Sequence, residues 1–318
     1  MDDDEGGNRA GKGHGDAHAG HGHGDPSATS ASAFAIGIGL NLAFVVVEVV
    51  YGLLSHSMAL VADAGHNLGD VLGLGLAWGA AILAKRRPTM RRTYGLRGTT
   101  ILASLTNSVL LLFVTGGIAW ESVRRFLAPE YVHGPTVIVI ALIGVVVNGA
   151  SAMLFMAGRK GDLNIRTAFQ HLAADAALAL GVALAATVMM FTGWIWIDPV
   201  VSVLLSAFIL ASTWSLLRGS ANLILAAVPA EIDAQAVRQF LIELPGVAEV
   251  HDFHVWAMST TENALTAHLV MPPEKCHPEF LGDACHAIRV RFGIGHSTLQ
   301  VESPEAPHPC RQAPEWAV

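Results

Sequence analysis

The sequence predicts an α-helical membrane protein, with six transmembrane helices followed by a small C-terminal α+β domain on the cytoplasmic side. Three observations predict it. Of the 318 residues, 52% are hydrophobic and only 14% charged, whereas soluble domains carry roughly a quarter charged residues. The mean hydropathy is +0.47. Residues 33–217 contain six largely apolar runs, each near the ~20 residues that a helix needs to cross the hydrocarbon core.

Residues 1–32 precede the first run. Asp2, Asp3, Asp4 and Glu5 open the segment, and His14, His18, His21 and His23 are scattered through Gly, Ala and Ser. It lacks an apolar core and the apolar stretch of a secretory signal, so it reads as a disordered cytoplasmic tail with candidate metal-gathering histidines. The six spans fall at 33–54, 58–84, 100–120, 135–157, 168–192 and 196–217. The glycines inside them suit close helix packing in lipid.

Loop charges orient the bundle. Lys85, Arg86, Arg87, Arg91, Arg92, Arg97, Arg159, Lys160, Arg166 and Arg218 fall on one side, and only Arg124 and Arg125 on the other. The positive-inside rule then places both termini in the cytoplasm. Residues 218–303 read as a soluble αββαβ domain, ferredoxin-like, with helices at 233–243 and 278–291 and strands at 248–256, 264–270 and 297–302. Pro304, Pro307, Pro309 and Pro314 mark an irregular end at 304–318. The net charge of −7 offers no basic surface for nucleic acid. Cys276, Cys285 and Cys310 form no disulfide framework.

Ionisable groups inside the membrane are the informative residues, since each costs several kcal/mol unless paired or hydrated. Span 2 carries Asp63, His66 and Asp70 in VADAGHNLGD, and span 5 carries His171 and Asp175 in AFQHLAADA. Both therefore contain H-x-x-x-D, which puts each His and Asp on one helix face. The two spans cross in opposite directions, as in transporters built from inverted repeats. If they face each other, two imidazoles and two carboxylates converge as a tetrahedral shell suited to Zn²⁺. Histidine ligands favour a transition metal over Mg²⁺ or Ca²⁺, and the absence of thiolates favours release. Metal binds only deprotonated ligands, so protons compete for the same groups, and histidine's ordinary pKa of about 6.5 suits it to carry them. Asp63 is a further candidate as a ligand, a group on the metal's path or a structural acceptor. Glu48 and Asn41 read as structural or pathway-lining, and Asn107 and Asn148 as interhelical hydrogen bonders.

These segments resemble the cation diffusion facilitator family, in particular its zinc-transporting, bacterial-type zinc/cadmium/cobalt efflux branch. The matching residues are NLAFVVVEVVYGLLSHSMALVADAGHNLGD (41–70), YGLRGTTILASLTN (94–107), RTAFQHLAADA (166–176), WIDPVVSVL (196–204), LPGVAEVHDFHVWAMS (244–259), ALTAHLV (264–270) and GHSTLQVE (295–302). The resemblance implies a homodimer of six-helix units in the cell (cytoplasmic, or inner) membrane that exports Zn²⁺ in exchange for protons. It implies a metal site at His66, Asp70, His171 and Asp175. It also makes His251, His268 and Glu302 candidate regulatory metal ligands in the cytoplasmic domain. The segment RGSANLILAAVP (218–229) is less acidic than in many relatives, which puts any linker metal site or charge interlock there in doubt.

In VHDFHVW, His251 and His254 fall on opposite faces of a regular strand and cannot serve one site. Cys276–His277 and Cys285–His286 are further candidate ligands, and Trp256 reads as a packing anchor. The expected function is secondary-active efflux with Zn²⁺ as transported substrate and no prosthetic group. Export of Co²⁺, Ni²⁺ or Cd²⁺ is the alternative within that class. An intramembrane metalloenzyme is the alternative outside it, but no HExxH occurs. A non-transporting sensor would be expected to lose the membrane ligands. ATP-driven pumping lacks a GxxxxGK[ST] loop.

Overall fold

The computed structural model describes residues 26–156, 163–277, 279–305, 310 and 312. Six long helices come first: α1 (Pro26–Leu54), α2 (Met58–Ala84), α3 (Thr99–Leu127), α4 (Gly134–Phe155), α5 (Leu163–Thr192) and α6 (Ile197–Ile224). Five of them, α2 to α6, are long and apolar enough to cross a membrane, and in α1 the described apolar stretch is Asn41–Leu54. Many of their large side chains point away from the bundle: Trp78, Phe113, Phe191 and Trp214 are all more than half exposed. Small residues fill the interior, among them Ala59, Ala141, Ala183 and Ala186. This inside-out pattern belongs to a bundle whose solvent is lipid.

The expected segment boundaries shift at several points. Helix α1 begins at Pro26, so the end of the stretch expected as a tail is helical. The tail histidines His14, His18, His21 and His23 lie outside the described residues, as do Arg159, Lys160 and His308. Helix α6 continues two turns beyond residue 217, to Ile224. Loss of hydropathy at Arg218 marks the edge of the apolar run, not of the helix. The helix stops where Ala226 adopts a φ of 57°, just before Pro229.

Two devices fix α2, the helix that carries the first H-x-x-x-D. Its small residues recur every four positions, and Gly65, Gly69 and Gly73 meet α3 closely. A Cβ at these glycines would lie 2.8 Å from Ile118, 2.5 Å from Leu111 and 2.7 Å from Asn107, respectively. The N-terminus of α2 is capped from another helix. The carboxylate of Asp198, in the first turn of α6, accepts hydrogen bonds from the Ser57 hydroxyl, from Met58 N at 2.8 Å and from Ala59 N at 3.4 Å. A carboxylate at a helix N-terminus satisfies orphan N–H groups and complements the helix dipole. Ser202 donates to Met58 O at 3.0 Å and lies 2.6 Å from the Ser122 hydroxyl, joining α2, α3 and α6 at one end of the bundle. Asn148 does not fulfil its expected role: neither end of its amide has a hydrogen-bond partner among the described residues.

The C-terminal domain contains α7 (Ala234–Ile242), β1 (Glu249–Ala257), β2 (Asn263–Val270), α8 (Phe280–Phe292) and β3 (His296–Glu302). The expected αββαβ order is observed, as a three-stranded mixed sheet ordered β1-β2-β3, with β1 and β2 antiparallel and β2 and β3 parallel. Asp233 caps α7 by accepting from Gln235 N and Ala236 N, both at 3.0 Å. Val237 and Leu241 of α7 and Ile288 of α8 bury against Val250, Val255, Leu265 and Leu269 of the sheet.

Gly144 of α4 lies against the Phe44 ring of α1, where a Cβ would sit 2.7 Å from the ring. Gly144→Leu should therefore destabilise the helix bundle by about 1–3 kcal/mol through overpacking. A lower melting midpoint in detergent, partly restored by adding Phe44→Ala, is the expected result.

Candidate metal centre

Helices α2 and α5 bring their H-x-x-x-D turns together. His66 Nε2 lies 3.8 Å from Asp70 Oδ2 and 3.5 Å from Asp175 Oδ1. His171 Nε2 lies 3.3 Å from Asp70 Oδ2 and 3.6 Å from Asp175 Oδ2. Each imidazole thus faces one carboxylate of its own helix and one of the other. Zn–N and Zn–O bonds of about 2.0–2.1 Å place ligand atoms about 3.3–3.4 Å apart along the edges of a tetrahedron. The four distances range from that edge up to 3.8 Å, and they use both carboxylate oxygens of Asp175. Ligand atoms of His66, Asp70 and Asp175 all lie within 4.8 Å of one another. The His66 and His171 rings stand nearly edge to face, with centroids 6.1 Å apart.

Burial is uneven around this ring of groups. The side chain of Asp175 is 2% exposed and that of His171 45% exposed, so the ring of candidate groups is open on the His171 side. His66 Nδ1 is buried without a hydrogen-bond partner among the described residues, and the buried Asp70 Oδ2 and Asp175 Oδ2 have only imidazole nitrogens near them, at 3.3–3.8 Å. Buried polar atoms are costly in that condition, and a bound cation satisfies the carboxylates at once.

Asp63 is not part of this cluster. It is buried and engages the carboxyl group of Glu48 on α1, which accepts from Asn67 Nδ2 at 3.0 Å. Of the three roles open to Asp63, its place outside the group of His66, Asp70 and Asp175 speaks against that of a further ligand. The partnership of Glu48 with α2 escaped the sequence, where Glu48 was grouped with Asn41 on its own helix.

A second cluster lies on the sheet of the C-terminal domain. His251 and His268 are directly cross-strand in the β1–β2 register, with ring centroids 5.3 Å apart. Glu302, at the end of β3, reaches His251 Nε2 at 3.3 Å and His268 Nδ1 at 2.9 Å. Cys310 adds its Sγ 3.6 Å from His268 Nδ1, and ligand atoms of all four residues lie within 4.8 Å of one another. Cys310 carries no local motif, and only the return of the chain after β3 brings it here. Cys276 and Cys285, with their neighbouring histidines, are not in the cluster.

The strand is not regular at this point. A bulge interrupts the register between His251 and His254, and Asp252 adopts a φ of 47°. Asp252 thereby accepts from His254 at 2.9 Å and lies 3.3 Å from His268 Nε2. His254 remains outside the four-residue cluster, but not for the reason expected: the bulge pairs His251 with His268 and His254 with Thr266, which puts both histidines on one face and ties His254 to the cluster through Asp252.

The family-level comparisons agree with this architecture. Residues 34–225 match the model of the cation efflux transmembrane domain, and residues 229–304 match that of the cation efflux protein cytoplasmic domain. The chain belongs to the cation diffusion facilitator, or cation efflux, family. Among the family's curated members, it is 37% identical to the zinc transporter ZitB of Escherichia coli over 81% of this chain and 83% of the other. It is 34% identical to the metal cation efflux system protein CzcD of Cupriavidus metallidurans, over 85% and 84% of the two chains. A cadmium, cobalt and zinc/H(+)-K(+) antiporter of Bacillus subtilis is 31% identical over 82% and 85%.

Asp175→Asn in the purified full chain should weaken zinc binding by more than the roughly 10–100-fold that follows loss of an outer-shell partner. Because metal displaces protons from its ligands, the apparent affinity of the wild type should fall as pH drops, about tenfold per unit for each proton displaced. Titration calorimetry at several pH values and in buffers of different ionisation enthalpy measures both quantities.

Proposed function

We propose that this multi-pass membrane protein exports divalent transition-metal cations, Zn²⁺ foremost, in exchange for protons, using His66, Asp70, His171 and Asp175 as its transport site. One observation carries the reading: two H-x-x-x-D turns on facing helices meet with four N···O separations of 3.3–3.8 Å, near a tetrahedral zinc edge. The names of the relatives agree with it, since they describe zinc transport, metal cation efflux and a cation antiporter. The chain is a transporter rather than an enzyme.

In this reading α1 completes a set of six spans, both termini face the cytoplasm, and the membrane is the cell's cytoplasmic membrane. Ten Lys and Arg residues on one side of the bundle against two on the other support the orientation. Protons and metal alternate on the same four side chains, so loading with one expels the other, and no prosthetic group is called for. The protein works as a homodimer, consistent with its cytoplasmic domain of the cation efflux type. Ligand softness sets selectivity, with Cd²⁺, Co²⁺ and Ni²⁺ as competing cargo.

His251, His268, Glu302 and Cys310 form a regulatory metal site in the same reading. Support comes from their shared geometry and from His251, whose buried ring nitrogens make no hydrogen bond among the described residues although Nε2 lies 3.3 Å from Glu302. Zinc held there joins β1, β2, β3 and the chain beyond them, and so reports cytoplasmic metal.

Uptake of zinc into everted vesicles should depend on a pH gradient and be abolished by Asp70→Ala and by His171→Ala. Undiminished uptake in both variants excludes the site. His66→Asp should shift transport toward harder cations such as Mn²⁺, read as a changed ratio of Mn²⁺ to Zn²⁺ uptake. The combined His268→Ala and Cys310→Ser variant should bind one zinc fewer per chain while keeping uptake at saturating zinc.

A further inference from the structure

The small-residue seam of α2 does not end where α3 leaves it. Gly65, Gly69 and Gly73 are covered by α3, but the same four-residue spacing continues through Ala77 and Ala81 to the helix end at Ala84. From Gly73 onward the seam borders a cavity of about 820 Å³, closed on its far side by Thr100, Ala103, Ser104 and Asn107 of α3. The stretch from Gly73 to Ala84 extends about 16 Å along the helix axis. The result is a furrow with apolar and small walls, lying within the apolar span and opening at its end.

The mouth of the furrow is basic. Lys85, Arg86, Arg87 and Arg97 line it, against the single carboxylate of Glu262. Glu262 is already bound to Arg97, with Nη1 2.8 Å from Oε2. Among the described residues, Lys85, Arg86 and Arg87 form no ion pair, and all three are exposed. Three unpaired cations therefore stand at the level where the apolar span ends, directly above an open apolar furrow.

We propose that this cavity binds one anionic phospholipid, with its phosphate among Lys85, Arg86 and Arg87 and one acyl chain in the furrow at 73–84. Charge and shape point to the same occupant. A free phosphate would use the mouth and leave the furrow open, whereas a lipid fills both. Basic pockets between membrane helices are recognised binding places for anionic headgroups, and each Lys or Arg near an anionic surface contributes appreciably to binding.

The location also gives the lipid a consequence. The hairpin between β1 and β2 forms one wall of the cavity, through Ser259, Thr260, Thr261 and Glu262. Thr260 N donates to Thr100 Oγ1 at 3.1 Å, and the Tyr94 ring stands edge to face with His296 at 5.6 Å. A headgroup at Lys85–Arg87 thus sits in the joint where the cytoplasmic domain meets α2 and α3, and its binding steadies that joint.

The test uses the full chain reconstituted in vesicles of equal phosphatidylglycerol and phosphatidylcholine, with the lipid retained after detergent extraction counted by native mass spectrometry. Wild type should retain one phosphatidylglycerol per chain in preference to phosphatidylcholine. Arg86→Gln with Arg87→Gln should lower that preference by about 30-fold at low salt. Arg91→Gln with Arg92→Gln, which removes equal charge outside the cavity, should leave it within about twofold of wild type. Ala77→Leu with Ala81→Leu, which fills the furrow and keeps every charge, should also abolish retention. Equal effects of the two arginine pairs, retention that survives filling of the furrow, or displacement of the lipid by millimolar inorganic phosphate would each overturn the proposal. So would equal retention of both lipids, the result expected if an acidic segment of a second subunit occupies the mouth.

Discussion

Carboxylates and imidazoles inside a hydrocarbon slab must find partners, and that requirement governs this molecule. Isolated, each would cost several kcal/mol. Gathered in one place, they become mutually tolerable and acquire affinity for a small cation. The bundle therefore has two tasks that coincide. It must bring Asp70 and Asp175 within reach of His66 and His171, and it must keep lipid away from all four. The small residues of the interior allow the close helix approach that does both. The cap that Asp198 provides for α2 fixes the height of His66, because it pins the helix two turns above the site.

The same requirement separates cargo from scaffold. Asp198 is buried too, yet it accepts three hydrogen bonds from the start of α2, so both of its oxygens are already engaged. Asp175 is as deeply buried and has one oxygen without a hydrogen-bond partner. Two aspartates of similar burial thus divide into a structural acceptor and a candidate ligand by what surrounds them. The C-terminal domain repeats the contrast on a sheet. Asp252 is held between two histidines by a bulge, whereas the His251 ring nitrogens lack hydrogen bonds.

Much of this was legible in the sequence, for reasons that also explain the rest. The H-x-x-x-D pairs could be read because helical periodicity places residues four apart on one face, and because charges in apolar runs stand out. Convergence of the two pairs required only that α2 and α5 face each other. Hydropathy located the spans but not the helix ends. It records contact with lipid, and α6 keeps its hydrogen bonding for two turns beyond that contact. The bulge at Asp252 left a trace that the reading of a regular strand passed over: the apolar positions step by three from Val250 to Phe253 and by two from there to Val255 and Ala257. Cys310 was hidden for a different reason: its place beside His268 depends on how the chain turns after β3. Asp63 was visible as a buried acid, but its partner Glu48 lies on another helix and at no fixed spacing from it.

The unattached Nδ1 of His66 has a kinetic meaning. In proteins that store metal, the second nitrogen of a ligating imidazole is commonly tethered to a carboxylate or carbonyl, which locks the ring's tautomer and heading. Here, among the described residues, nothing hydrogen-bonds that nitrogen. The ring can swing or exchange its proton between nitrogens without breaking a hydrogen bond, so coordination can be undone one bond at a time. In the transport reading proposed above, such a ring suits short residence, and the missing tether is what would distinguish a turnstile from a vault.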